Sequence, residues 1–334
     1  MNEAAPDLFA AALFAAWLRA SAPLIWAALG ALVSELAGVI NVGIEGLMLV
    51  AAFFGVAGSA WVAMTWPGSA PGLAALVGAL CGLIAAVALA LALGWFHLRL
   101  GADLIVAGIV VNLLAAGATV FLLTLLSGDK GSSAGLASAV LPVVHVPGLS
   151  DWPVLDAWVN GDGGQGHHVL VHGAWMAALA LAWLLYRTRL GVHLRAVGEN
   201  AEAARAAGLN VERLQYIALA LSGALAGLGG LYLSMGYLSL FQADMTGGRG
   251  FLALAAVFLG ARSPLGTLAA ALLFGAASVA AAQLGLWDVP TQLVHMLPAL
   301  ITLALLVAAS QWRRHRLQRR ARSASSLRSP SSNL

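Results

Sequence analysis

Long apolar runs, separated by short polar breaks, dominate this chain. No Asp, Glu, Lys or Arg occurs between Glu45 and Arg99, nor in 104–128, 163–186, 214–243, 250–261, 263–287 or 289–312. A helix that crosses the hydrocarbon of a bilayer needs roughly 20 apolar residues. Most of these runs are long enough, and the first holds two spans. The pattern predicts about nine helices, near 20–37, 42–65, 72–96, 104–126, 168–186, 214–235, 247–261, 264–286 and 289–311. The seventh is short and is a candidate for re-entry. The apolar stretch 8–18 reads as an interfacial helix or a tenth span. Pro67 with Pro71, and Ser263 with Pro264, mark turns. The expected fold class is all-α, a polytopic transmembrane helical bundle.

Composition agrees. The 334 residues are 61% hydrophobic and 9% charged, whereas soluble chains carry about 25% charged residues. The organisation read from this is an N-terminal segment 1–19, a membrane domain 20–311 and a basic, Ser-rich tail 312–334. The single cysteine, Cys81, lies within a span, which excludes a disulfide framework and a thiolate metal site. The first ten residues carry Glu3 and Asp7 without Lys or Arg, unlike a cleavable signal peptide.

Charge placement predicts orientation. Segment 187–213 holds five arginines and the tail seven, together 12 of the 17 basic residues. The loop 127–166 holds one Lys and four Asp. The positive-inside bias places 187–213 and the C-terminus in the cytoplasm and 127–166 outside. Four predicted spans separate the two basic segments, so the parity is consistent. The arginine tail reads as an anchor on anionic lipid, not as a nucleic-acid arm.

Two stretches are alike. With an offset of 204 residues, Gly43, Gly46, Ala51, Ala52 and Phe54 match Gly247, Gly250, Ala255, Ala256 and Phe258. Small-residue bias is one source of such a match. The other is an inverted internal repeat, with the two copies running in opposite directions and the solute route between them.

The basic loop carries a local signature. Asn200 is a good N-cap, 201–207 is rich in alanine, Glu202 and Arg205 suit the helix dipole, and Gly208 fits the C′ position. A slim helix of about two turns outside the membrane is expected. It serves either as an ordered loop or as a rod that enters a partner's groove.

Run 191–210 (Gly-Val-His-Leu-Arg-Ala-Val-Gly-Glu-Asn-Ala-Glu-Ala-Ala-Arg-Ala-Ala-Gly-Leu-Asn) resembles the cytoplasmic coupling segment of ABC importer permeases. It is closest to the ribose/nucleoside-type family, which is related to the branched-chain amino acid permeases. Run 35–49, with Asn-Val-Gly-Ile-Glu-Gly, and run 248–266, with Arg-Gly-Phe-Leu-Ala and Gly-Ala-Arg-Ser-Pro-Leu-Gly, resemble the same family. The resemblance covers about 20–310. It implies a permease subunit of an importer for nucleosides or ribose-like sugars. Branched-chain amino acid import is the alternative, and a stand-alone secondary transporter is the reading from another class. It also implies a cytoplasmic ATP-binding subunit, a second permease subunit (identical or homologous) and an extracytoplasmic substrate-binding protein. Gly191, Arg195, Gly198, Glu199, Asn200, Ala203, Ala204 and Gly208 would meet the ATPase. A tryptophan at Gly198 or Ala203 is expected to block docking while leaving the fold intact. The chain has no phosphate-binding Gly-x4-Gly-Lys-[Ser/Thr] loop. It is therefore expected to be a transport subunit without enzymatic activity or cofactor of its own, with ATP hydrolysed on a partner.

Polar residues inside the apolar field are the remaining candidates. Asn41, Glu45, Asn112, Gln242 and Arg249 are assigned to the solute pathway. Glu35 and Glu45 line it or cap helix ends. Asn112, Gln242 and Gln283 bond either solute or a neighbouring helix. Arg249 and Asp244 are placed at an outer interface, so no buried cation is expected to meet a phosphate. His168 and His172 are spaced i, i+4 without an evident third metal ligand, and read as a hydrated outer pair.

Overall fold

The apolar runs fold into helices. The computed structural model describes residues 4–68, 70–136, 138–149, 152–161, 166–284, 304 and 307. In order they form α1 (Ala4–Leu36), α2 (Ile44–Thr65), α3 (Pro71–Leu98), α4 (Leu104–Ser127), β1 (Val143–Val144), α5 (Pro153–Val159) and β2 (His167–His168). Then come α6 (Val169–Arg187), α7 (Arg189–Glu199), α8 (Ala201–Ala206), α9 (Val211–Tyr232) with a π-helical turn (Leu233–Tyr237), α10 (Arg249–Leu259) and α11 (Pro264–Leu284). Among the described residues seven helices are long and apolar enough to cross a membrane, and α10 is a shorter apolar helix. One compact unit ends at Ala280 and a second begins at Ala281. The expected span 289–311 and the tail 312–334 lie outside the described residues.

Segment 8–18 is neither a separate interfacial helix nor a tenth span. It is the first part of α1, which continues unbroken to Leu36 through Pro23. Arg19 and Pro23 interrupt the apolar pattern but not the helix. A long basic side chain can snorkel, and membrane helices tolerate proline where neighbours satisfy the freed backbone groups.

Short polar side chains start the helices that follow turns. Asp103 accepts from the amides of Ile105 and Val106, each at 3.0 Å. Thr188, Asn200 and Asn210 cap α7, α8 and α9 in the same way. Gly128 closes α4 in the left-handed conformation, φ 73°.

Helices α1, α2 and α9 form the centre. Their buried faces carry Leu24, Ile25, Leu29, Leu32, Ile44, Leu47, Met48 and Tyr232. Backbones touch there. A Cβ on Gly230 would lie 1.9 Å from the Met48 carbonyl oxygen, so α9 can approach α2 only with glycine at that position. Helices α3, α4 and α6 surround them and leave Ile84, Leu113, Phe121, Leu179 and Trp183 more than half exposed. Large exposed apolar side chains on helices of spanning length make a lipid-facing surface.

The two ends of the bundle differ. One carries α7, α8 and the basic segment. The other carries the region after α4, where β1 and β2 pair antiparallel with Val143 opposite His168. Buried Asn160 anchors that region, accepting from the Val146 amide at 2.7 Å and donating to the Val146 carbonyl at 2.8 Å. Ser133 pins it to the chain after α9 by accepting from the Phe241 amide at 2.8 Å.

Candidate functional site

Two helices begin inside the bundle. After α1 the chain reverses through 37–43, with Gly38 at φ 77°. Helix α2 then starts where Gly43 packs on Leu93 and Val111. Leu93 lies about 8 Å short of the end of α3, at ~1.5 Å per residue. From there α2 runs to the β1–β2 end, where the Ser59 hydroxyl accepts from the Ala139 amide at 2.7 Å. Helix α10 starts at the same place and runs the other way. Its 11 residues cover about 16 Å, half of a ~30 Å hydrocarbon core. It ends near α7, where Arg262 pairs with Glu35.

The two starts meet at Glu45. Its carboxylate accepts from the amides of Gly248, at 2.7 Å, and Gly250. A helix N-terminus has unsatisfied N–H groups and a positive dipole end, so a buried carboxylate there is well placed. A Cβ on Gly250 would lie 2.5 Å from the Glu45 nitrogen, so nothing larger fits the crossing.

The start of α2 is held similarly, by neutral amides. Asn112 accepts from the Gly46 amide at 2.8 Å and donates to the Val42 carbonyl at 2.9 Å. Asn41, fully buried, accepts from the Gly43 amide at 3.0 Å and donates to the Ser222 hydroxyl at 2.9 Å. Asn41, Glu45 and Asn112, assigned to the solute pathway, thus lie close together, with their hydrogen bonds directed mainly at helix starts. Ser222 is a partner that sequence reasoning missed, because one serine among many small residues on α9 gives no signal.

Arg249 is not at an outer interface. It is half-buried at the start of α10, donates to the carbonyls of Met245 at 3.1 Å and Thr246 at 3.0 Å, and lies within electrostatic reach of Glu45. A cation therefore does stand in the apolar interior. The two charges oppose each other, and they occupy equivalent positions of the 204-residue match. Gln242 does not join this group. It is exposed and bridged to Ser132 near the β1–β2 end. Asp244 is exposed nearby, at φ 56°.

At the opposite end α7 and α8 form a two-helix segment in place of the single short helix expected. Asn200 accepts from the amides of Glu202 and Ala203, at 3.0 and 2.9 Å, and Gly208 takes φ 84°, both as the sequence suggested. The eight coupling candidates divide by environment. Glu199, Asn200, Ala203 and Gly208 face outward. Gly191 and Ala204 are buried, and Arg195 lies over the Tyr186 ring at 5.1 Å, which ties α7 to α6. Gly198 has accessible surface, but a Cβ on it would lie 2.2 Å from the Leu36 carbonyl oxygen. A tryptophan there would displace the end of α1, so the expectation that it leaves the fold intact is corrected.

His167, His168 and His172 lie at the β1–β2 end. The His168 ring is 6.0 Å from Tyr232, and His167 is 5.9 Å from His172. Burial pushes the His168 pKa down, against the carbonyls of Leu141 and Met235. It is a packed core group, not a hydrated one. Among the described residues no three His, Cys, Asp or Glu side chains are grouped to hold a metal.

The sequence model described as "Branched-chain amino acid transport system / permease component" matches residues 13–307. The guanosine ABC transporter permease NupQ of Bacillus subtilis (strain 168) is 36% identical over 299 residues, 86% of this chain and 88% of its own length. The nucleoside ABC transporter permease NupC of Lactococcus lactis is 33% identical over 292 residues, with the same coverage of both chains. The putative glucose ABC transporter permease TsgC13 of Haloferax volcanii is 32% identical over 272 residues, 80% of this chain and 76% of its own. No solved structure matches significantly. ABC permeases in general work with an ATPase and a substrate-binding protein. A bundle of membrane-spanning helices in which two helix starts meet at a buried carboxylate, matched by the family model over most of its length, belongs to the branched-chain amino acid transport system permease family and is a multi-pass permease subunit of an ABC transporter.

Proposed function

We propose that this subunit forms the solute pathway for nucleoside import, with simple sugars such as ribose as the second substrate class, and that ATP is hydrolysed on a separate cytoplasmic subunit. The junction where α2 and α10 start carries this reading. Its polar groups are two amides, one serine hydroxyl and one carboxylate opposed by one guanidinium. The hydrogen-bonding capacity these groups keep beyond the helix starts suits hydroxyls and base edges without excess charge. A nucleoside suits it better than a nucleoside phosphate, since Glu45 already opposes Arg249, the guanidinium at this junction. The 36% and 33% identities to the guanosine and nucleoside permeases support the same substrate class. The glucose permease keeps sugars open, and the family description keeps branched-chain amino acids as the alternative.

The α7–α8 surface, with Glu199, Asn200, Ala203 and Gly208 outward, docks the ATPase in this reading. The end bearing Asn160 and Ser133 receives the substrate-binding protein. A second permease subunit, the same or homologous, packs against part of the outer apolar surface. The five arginines of 187–213 support placing α7, α8 and the C-terminus in the cytoplasm. Uptake by cells expressing the complete transporter tests the substrate. Labelled guanosine, adenosine, ribose, leucine and a nucleoside monophosphate are compared. Uptake of the nucleosides is expected. Uptake of leucine alone overturns the substrate reading, and uptake of the monophosphate overturns the charge argument.

A further inference from the structure

Helix α10 is held at both ends by carboxylates of other helices. At its start, Glu45 of α2 takes two backbone amides. At its far end, Arg262 in the turn to α11 pairs with Glu35 of α1. The second attachment is asymmetric. The Glu35 side chain is 2% exposed, whereas that of Arg262 is 57% exposed. The other Glu35 oxygen is buried and has no hydrogen-bond partner among the described residues. A buried carboxylate thus depends on one cation that is itself half in water.

The turn that presents Arg262 is stiff. Ala261 and Arg262 both take left-handed conformations, φ 57° and 56°, which side chains adopt only under constraint. The amides of Gly260 and Arg262 bond back to Ala256 and Val257 carbonyls, at 2.8 and 3.0 Å. A Cβ on Gly260 would lie 2.3 Å from Gly266, so α10 and α11 leave the turn in backbone contact. The backbone of the turn therefore moves with the end of α10, and the Arg262 side chain ties both to Glu35.

The other half of the pair touches α7. One residue beyond Glu35, the Leu36 carbonyl faces Gly198. Gly38 follows, and a Cβ on it would lie 3.3 Å from the Gly198 Cα. The end of α1 is therefore wedged between α7 and the α10 turn, backbone against backbone on one side and an ion pair on the other.

We infer that Glu35 and Arg262 form a positioning pair that ties the α7–α8 surface to α10, so that displacement of α7 by a docked ATPase shifts α10 relative to Glu45 at the central junction. This rests on α7–α8 being the ATPase-docking surface. The pair touches no substrate. It works through α10: while Glu35 and Arg262 stay paired, the end of α1 and the far end of α10 move together.

The test uses the complete transporter in proteoliposomes and reads solute moved per ATP hydrolysed, beside the basal hydrolysis rate. Arg262→Gln leaves the Glu35 carboxylate unpaired, and Arg262→Lys keeps the charge. The expected result is unchanged basal hydrolysis and a roughly tenfold lower transport ratio in Arg262→Gln, a size usual for coupling between sites. Arg262→Lys should recover most of the ratio. A wild-type ratio in Arg262→Gln overturns the inference. Should Arg262→Gln fail to assemble, the double variant Glu35→Gln with Arg262→Gln removes both charges. Assembly with a low ratio supports the inference, and assembly with a normal ratio overturns it, as does failure of the double variant to assemble, which makes the pair merely structural. Absence of ATP-driven uptake by the wild-type complex would instead refute the docking and transport reading beneath it.

Discussion

Glu45 does two jobs with one side chain. It satisfies two amides at the start of α10 and opposes Arg249. Glu45→Ala leaves those amides buried without acceptors, and unsatisfied buried donors, particularly beside an uncompensated charge, are costly. A loss of about 2–4 kcal/mol is expected, read as a lower unfolding midpoint of the purified protein, with uptake abolished. Glu45→Gln keeps one acceptor oxygen and should fall between. His168 gives the pH dependence. Its pKa is lowered in the fold by burial, so the unfolded chain takes up the proton first as pH falls. The associated stability is complete above the ordinary histidine value of about 6.5 and is lost as pH drops below it toward the lowered folded value. The unfolding midpoint should therefore fall between pH 7 and 5, and His168→Gln should flatten that fall. The opposite slope would contradict a buried neutral imidazole. Some of this was legible in the sequence. Carboxylates and amides are expensive in an apolar field, which singled out Asn41, Glu45 and Asn112. Their partners were not legible, because Glu45 and Gly248 stand 203 residues apart and glycine amides carry no side-chain signature.

At the scale of elements, capping chemistry was the most readable feature. Asn200 and Gly208 bound α8 as the local sequence dictates, since both act on their own backbone within a few residues. Helix α1 was harder. Arg19 and Pro23 break its apolar pattern, while neighbouring helices decide that it continues. Gly198 is the sharpest case. A sequence shows that glycine lacks a side chain, but not that its vacant side faces the Leu36 carbonyl. The prediction divides accordingly. Ala203→Trp, on the exposed face of α8, should assemble normally and lose solute-stimulated ATP hydrolysis. Gly198→Trp should lower the unfolding midpoint as well, because the ring must push α1 away. Equal midpoints for the two variants would contradict the packing described for α7.

At the scale of the whole molecule, most of the spanning helices follow from charge-free runs, and the 204-residue match suggested two helices that run in opposite directions, though not that they start together. The relative depth of those starts was not legible, because it depends on how α3 and α9 pack beside them. Orientation can be tested chemically. In a Cys81→Ala background, Lys130→Cys and Glu202→Cys introduce single thiols at exposed positions near opposite ends. An impermeant thiol reagent added to intact cells should label Lys130→Cys and spare Glu202→Cys. The reverse pattern would invert the topology. The most direct measurement is guanosine uptake into proteoliposomes holding the complete transporter and its binding protein, with ATP supplied on one side at a time. Net uptake is expected only when ATP is on the side where Glu202→Cys is labelled and the binding protein is on the other. Guanosine movement indifferent to ATP, or driven by ATP on the Lys130→Cys side, would contradict ATP-driven import by this subunit.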